Sequence, residues 1–413
     1  MSEVVIERAQ EIIENSWRPD RGLPTSPSHP DTFMTNTADY VETHLIMGNL
    51  DRALTEFELW KQSRYPSGFT PHYMLGSHIR AGVETNWIDA RVQHTIRLDN
   101  GERVTPLAGP PNWAIAMSLI VDYMETNGQQ EKAKKFVDDN FDDAVASSLA
   151  LYDSRMTDGF IFQTHPDELT VRDGLISRLS YRNTAQESDN TKPEDAVSPQ
   201  DKKRLEKAKK AKIWVAEDGV NGLLLENNLA LANLAVKYGK SVPRQLVDDM
   251  NLTFENALPE LIKINQYSHQ PDEIYRTLGT LRAVRTLDDT QAILDVIEKM
   301  NILLGRTSDP LGPYEDSSKE HPVIRPDINL RIARLAITEA EHKPRLASPS
   351  SFHRIGSNII EVIEKFGVFP RIIDPREVAP VIGSNVVTKR VKSIQGLWMP
   401  TVTEALKYSV KLK

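Results

Sequence analysis

The sequence contains no cysteine. That excludes disulfides and thiolate metal sites and leaves the compartment open, because a cysteine-free chain suits oxidising and reducing surroundings alike. Long apolar runs are missing as well. No stretch approaches the ~18 uninterrupted apolar residues of a membrane-crossing helix, so no membrane association is expected. Concentrated positive charge is scarce: the formal net charge is −8 over 413 residues. Only Lys202 to Lys212, KKRLEKAKKAK, forms a basic run. Binding nucleic acid takes clustered Lys and Arg, so no nucleic-acid partner is expected. Neither a phosphate-cradling G-x-x-x-x-G-K nor a G-x-G-x-x-G after a strand is found, which argues against a nucleotide cofactor. No His-x-x-x-His pair stands on a helix, and the oxygens of EDSSKEH, from Glu315, lack EF-hand spacing. No metal and no cofactor are therefore expected. The acidic start MSEVVIERAQEII lacks the basic and apolar regions of a signal peptide, so a cytoplasmic location is expected.

What is present is helical spacing, repeated along the chain. Apolar residues recur every three or four positions over Val4 to Ser16, Phe33 to Met47, Leu50 to Lys61, Asn112 to Thr126 and Glu131 to Tyr152. They do so again over Asp218 to Tyr238, Arg244 to Ile264, Asp272 to Thr286, Asp289 to Leu304, Ile328 to Glu341, Ser351 to Phe366 and Leu397 to Val410. A short helix is expected around Trp87 to Val92. The total is about twelve substantial helices with almost no strand signal. Helix pairs joined by a short turn, such as Gly48-Asn49 or Asn127-Gly128, alternate with long irregular loops. Each helix carries one apolar stripe and must bury it on a neighbour. About six such hairpins close into a double ring of helices, an all-α (α/α)6 toroid. An open superhelix is the alternative, but the fixed period it requires is not seen. A single domain over 1–413 is expected. Residues 188–212 form a charged insertion within it, either a lid or a solvated surface loop.

The long loops carry the unusual residues. Arg155 to Asp173, RMTDGFIFQTHPDELTVRD, mixes four acids, two arginines and a histidine with Phe160, Ile161 and Phe162. Loops on a rigid scaffold are where chemistry sits; a solvated connector is the plainer reading. Other such stretches are Ser26 to Thr37, Pro66 to His72, Leu107 to Ala114, Tyr314 to Asp327 and Gly367 to Glu377. Sugar sites need aromatic platforms beside hydrogen-bonding groups. The aromatic candidates are Phe33, Phe69, Trp113, Tyr314, Phe369 and Trp398, and each taken singly is as well explained by core packing.

The order of these stretches resembles glycoside hydrolase family 63, within it the bacterial mannosylglycerate and glucosylglycerate hydrolases, and beyond it trehalases and glucoamylases. Ala9 to Asn15, Asn49-Leu50-Asp51-Arg52-Ala53, Gly68-Phe69-Thr70-Pro71-His72 and Gly109-Pro110-Pro111 each resemble a family motif in chain order. So does Asn221-Gly222-Leu223-Leu224-Leu225. The segment of the family's general acid, His-Pro-Trp-Glu-Ser-Gly-Met-Asp-Asn, is similar to His165-Pro166-Asp167-Glu168-Leu169-Thr170-Val171-Arg172-Asp173. The resemblance implies the (α/α)6 toroid, a small carbohydrate partner and hydrolysis of a small α-glycoside, an α-glucoside or α-mannoside. It implies Glu168 or Asp173 as the acid; the residues expected around the substrate are His72, His165 and Arg325 from the matched segments, with Phe33, Trp113, Tyr314 and Trp398 from the aromatic candidates. It leaves oligomeric state open.

The departures from the family pattern bear on activity. A Trp-Asp pair that holds the sugar is replaced by Asn36-Thr37. A Trp-Arg-Gly-Pro segment survives as Ile324-Arg325-Pro326. The base glutamate belongs to a Gly-Phe-Tyr-Glu-Tyr segment, here Gly367-Val368-Phe369-Pro370-Arg371, so Pro370 stands in its place. Inverting hydrolysis needs an acid and a base ~6.5–9.5 Å apart across the sugar, and proline takes no proton. Asp374 and Glu377, or Asp327, are the acids positioned by sequence to substitute. A catalytically silent relative that binds a sugar or a partner is the second reading. An epimerase or lyase is the third, using His72 with Tyr73, His165 or His321 for proton transfer.

Overall fold

The computed structural model describes residues 3–20, 22–26, 32–33, 36–66, 68, 73–74, 96–97, 103–104, 112–157, 160–163, 181–183, 213–216, 218–263, 273–307, 309–313, 324–341, 350–373 and 397–412. Twelve long α-helices run through them. They are α1 (Glu3–Ser16), α2 (Thr37–Ile46), α3 (Leu50–Gln62), α4 (Trp113–Thr126), α5 (Gln130–Arg155) and α6 (Asp218–Tyr238). Then follow α7 (Arg244–Leu261), α8 (Glu273–Val284), α9 (Thr290–Thr307), α10 (Pro326–Glu341), α11 (Ser350–Phe366) and α12 (Met399–Lys411).

Local chemistry sets the helix ends. Gly48 adopts φ 75°, the left-handed conformation that stops a helix without a Cβ penalty. Its N–H donates to Leu45 O at 2.9 Å, and that of Asn49 donates to His44 O at 2.8 Å. The Asn49 side chain then caps α3, accepting from the Arg52 N–H at 3.3 Å. At the start of α9, Asp289 Oδ1 accepts from the N–H groups of Gln291 and Ala292 at 2.8 and 3.3 Å.

The chain divides into two compact units. One comprises Arg18–Gly22 and Asp31–Glu260. In it α4 packs against both α2 and α6, while α3 backs α2 and α5 backs α4. The core between them is apolar, built from residues such as Val41, Phe57, Trp60, Met117, Ile120 and Leu224. Buried polar contacts occur in this unit too: His44 Nε2 lies 3.5 Å from Glu56 Oε1, and Tyr152 Oη lies 3.0 Å from Thr253 Oγ1 and accepts from Asn228 Nδ2. Burial pushes the Tyr152 hydroxyl up from its ordinary pKa.

This unit also holds short antiparallel strands in its loops. β1 (Thr32–Phe33) pairs with β2 (Tyr73–Met74), and β3 (Ile96–Arg97) with β4 (Arg103–Val104). A four-stranded sheet of order β5-β6-β8-β7 follows α5, from β5 (Met156–Thr157), β6 (Phe160–Gln163), β7 (Tyr181–Asn183) and β8 (Ile213–Ala216). Part of the charged Arg155 to Asp173 stretch is therefore strand. Strands of two to four residues carry too few alternations to stand out from a helical background. Phe33, expected at the start of a helix, lies in β1 opposite Tyr73, and α2 begins at Thr37. The insertion 188–212 lies outside the described residues, as does the expected helix at Trp87 to Val92. The strands flanking the insertion are paired, with Asn183 opposite Ile213.

The other unit comprises Met1–Trp17, Leu23–Pro30 and Leu261–Lys413. α8, α10 and α12 form one row, with α10 in contact with both neighbours; α9, α11 and α1 form the second. Burial separates the rows. α12 is buried on every side from Met399 to Ser409. α11 buries one stripe, Phe352, Ile355, Ile359, Ile360 and Ile363, the spacing of a helix with one solvated face. Gly356 lets α11 approach α12 closely, because a Cβ there would run into the Tyr408 ring. α1 packs on α12.

Candidate functional site

In the unit that contains the C-terminus, three loop segments meet at the N-terminal ends of α10 and α12. Ile324 and Ile373 exchange backbone hydrogen bonds of 2.9 and 3.0 Å. The Trp398 N–H donates to Phe369 O and the Met399 N–H to Thr25 O, each at 2.8 Å. Thr401 Oγ1 donates to Pro370 O at 2.8 Å. The segment expected to carry the base is thus pinned between two helix starts, with Pro370 itself buried. Helix N-termini present unsatisfied N–H groups and favour negative charge.

Asp327, in the first turn of α10, occupies that position. Its carboxylate accepts both arms of Arg325, from Nε at 3.1 Å and from a terminal nitrogen at 2.7 Å. It also accepts from the Trp398 indole N–H at 3.2 Å. Burial by itself would raise the carboxyl, but Arg325, Arg331 and the Trp398 N–H together hold it below the usual aspartate range. Arg325 and Asp327 are buried, whereas Trp398 is half-buried and Arg371 exposed. The Arg371 guanidinium lies 4.8 Å from the centre of the Trp398 ring, and that of Arg325 6.0 Å, both within cation–π range.

Further along the same face of α10, Arg331 and Arg334 donate through Nε to the two oxygens of Glu404 on α12, at 3.1 and 3.2 Å. Lys407, one turn on, reaches the same carboxylate at 2.7 Å. Glu404 is fully buried. Burial would raise its carboxyl, but the charges of Lys407, Arg334 and Arg331 outweigh that and keep it ionised, well below the ordinary range. This row was legible only as spacing: Asp327, Arg331 and Arg334 fall at i, i+4 and i+7, and Glu404 and Lys407 at i, i+3. Charges at such spacing read by default as a solvated face.

The structure therefore brings together two of the residues expected around a substrate, Arg325 and Trp398, with Asp327, one of the acids considered as a substitute base, and adds Arg371 to them. Trp113 is in the core of the other unit, 3% exposed, with its ring edge-on to Phe57 at 5.3 Å. Phe33 is described only as part of β1. Glu168, Asp173, Asp374, Glu377, His72, His165 and Tyr314 lie outside the described residues. Among the described residues no group of three or more His, Asp or Glu is placed to hold a metal ion. No described helix is long and apolar enough to cross a membrane.

No family model and no curated protein matches the sequence. Solved structures do match the fold. The chain is similar to the GH63 mannosylglycerate hydrolase from Thermus thermophilus in complex with Tris and D-glycerate. That match has 15% identity and a TM-score of 0.66, and it covers 98% of this chain and 100% of that one. It is similar to a novel alpha-amylase from Clostridium perfringens at 8% identity and a TM-score of 0.51, over 100% of this chain and 99% of that one. A rhamnosidase from Klebsiella oxytoca with rhamnose bound matches at 8% identity and a TM-score of 0.53, over 100% of this chain and 64% of that one. These proteins are built on the (α/α)6 fold, and the chain shares it.

Proposed function

We propose that the protein is a carbohydrate-active hydrolase that cleaves a small α-glycoside, an α-glucoside or an α-mannoside, with inversion. The observation that carries this reading is the end-to-end match to the Thermus thermophilus mannosylglycerate hydrolase, which covers 98% of this chain. The cluster of Arg325, Asp327, Arg371 and Trp398 supports it, since it sets a half-buried aromatic ring among hydrogen-bond donors. Glu168 or Asp173 serves as the acid. The base comes from Asp374 or Glu377, because Pro370 takes no proton and Asp327 is unsuited. Asp327 is buried, bound on both oxygens and already depressed in pKa, so it is a weak proton acceptor at neutral pH.

The test is turnover of mannosylglycerate and methyl α-D-glucopyranoside, with the product anomer followed by proton NMR. The first product formed is expected to be the β-anomer. Glu168→Gln or Asp173→Asn, and Asp374→Asn or Glu377→Gln, are each expected to cost ~10²–10⁴-fold in rate. Release of the α-anomer first would rule out inversion. The buried Pro370 favours one second reading, a relative that binds sugar without cleaving it. Calorimetric binding with no turnover would select it.

A further inference from the structure

Arg371 directly follows Pro370 and sits beside the position where a base was expected. Its neighbours are arranged in sequence: a buried carboxylate, an indole N–H, a ring, then an exposed guanidinium. Asp327 accepts the Trp398 N–H at 3.2 Å while bound to Arg325. Backbone contacts hold the Trp398 main chain, and the Asp327 carboxylate holds its indole N–H. Arg371 lies 4.8 Å over that ring. Stacking on an aromatic face holds a guanidinium plane and aims its outer N–H groups, which a flexible ammonium does not reproduce.

We infer that Asp327 is a positioning residue which, through Trp398, presents Arg371 as a ligand-binding donor at this end of α10 and α12. This rests on the carbohydrate reading proposed above and assigns a role to the residues flanking Pro370. Arg371 donates to ligand oxygens; Trp398 supplies the surface on which it lies; Asp327 never touches ligand. Glu404, Arg331 and Arg334 lie further along the helices and belong to the packing of α10 on α12.

The experiment is a double-mutant cycle on the full chain, read by calorimetry with methyl α-D-glucopyranoside and methyl α-D-mannopyranoside. Trp398→Phe keeps an aromatic face and the Arg325–Asp327 pair but removes the N–H, so it tests the link even if Asp327→Asn fails to fold. Arg371→Ala is expected to weaken binding about tenfold, the scale of one charge-assisted hydrogen bond. Trp398→Phe should weaken binding several-fold, and the double variant should lose no more than Arg371→Ala alone, because one removes what the other positions. Arg371→Lys should not restore affinity. A purely structural role would lower thermal stability and leave the losses additive. Additive losses, or wild-type affinity in Arg371→Ala, would overturn the inference while sugar binding by the parent chain upheld the wider reading. No binding of either glycoside by the parent chain would sink both.

Discussion

One helix contact in each unit shows the same helical plan built with opposite chemistry. Where α4 meets α2 and α6, the buried contacts are apolar, with Met117, Ile120 and Leu224 fully or almost fully buried. Where α10 meets α12, Arg331, Arg334 and Lys407 surround the buried Glu404. An apolar contact fails by leaving a void, and its cost scales with the volume removed. A charged contact fails by leaving buried charge without its counter-ion, and the cost does not scale with volume. Similar architecture therefore does not imply similar tolerance to substitution or pH.

Four measurements test this contrast. Glu404→Ala should have the largest effect, destabilising by ~3–5 kcal/mol, because it takes the carboxylate away from the buried cations Arg331 and Lys407 and the partly buried Arg334. Urea unfolding reads it, and a loss near that of a surface residue would show that the cluster is solvated. Acid should act on the same contact. Glu404 and Asp327 both titrate below their ordinary ranges in the folded chain. Their contribution is complete above the unfolded values, ~4.3 for Glu and ~3.9 for Asp, and is lost as pH falls toward the folded ones. The thermal midpoint should therefore drop between pH 5 and pH 3 (round values bracketing ~4), and Glu404→Gln should flatten that drop.

On the apolar side, Ile120→Ala should cost ~2–4 kcal/mol through its cavity and leave the acid dependence unchanged; a changed acid profile would deny that the two contacts are independent. Tyr152→Phe should be the mildest, about 1–2 kcal/mol, since it removes one hydroxyl that Asn228 and Thr253 share. Thr253 keeps its bond to Asp249 O at 3.1 Å, which limits the loss. Denaturant midpoints rank all three substitutions directly.

Much of the helical plan was legible in the chain. The apolar stripe of α11 and the glycine stop at Gly48 mark an element and its boundary by local rules. The expected start of the last helix at Leu397 differs by two residues from the observed Met399, because Trp398 is taken up by a backbone bond to Phe369. The strands were missed for want of length. Trp113 illustrates the limit on the site: sequence marks an aromatic beside two prolines, and the fold uses it to fill a core.

Helical period is a property of neighbours three and four residues apart, so the sequence alone determined where most helices run and which faces of them are apolar. It also determined that Pro370 can accept no proton. Which charges are buried was decided only by the tertiary structure. Arg331 and Glu404 are 73 residues apart in the chain, and Asp327 and Trp398 are 71 apart. Nothing within a few residues of either distinguishes a buried pair from two solvated groups until α10 is laid against α12.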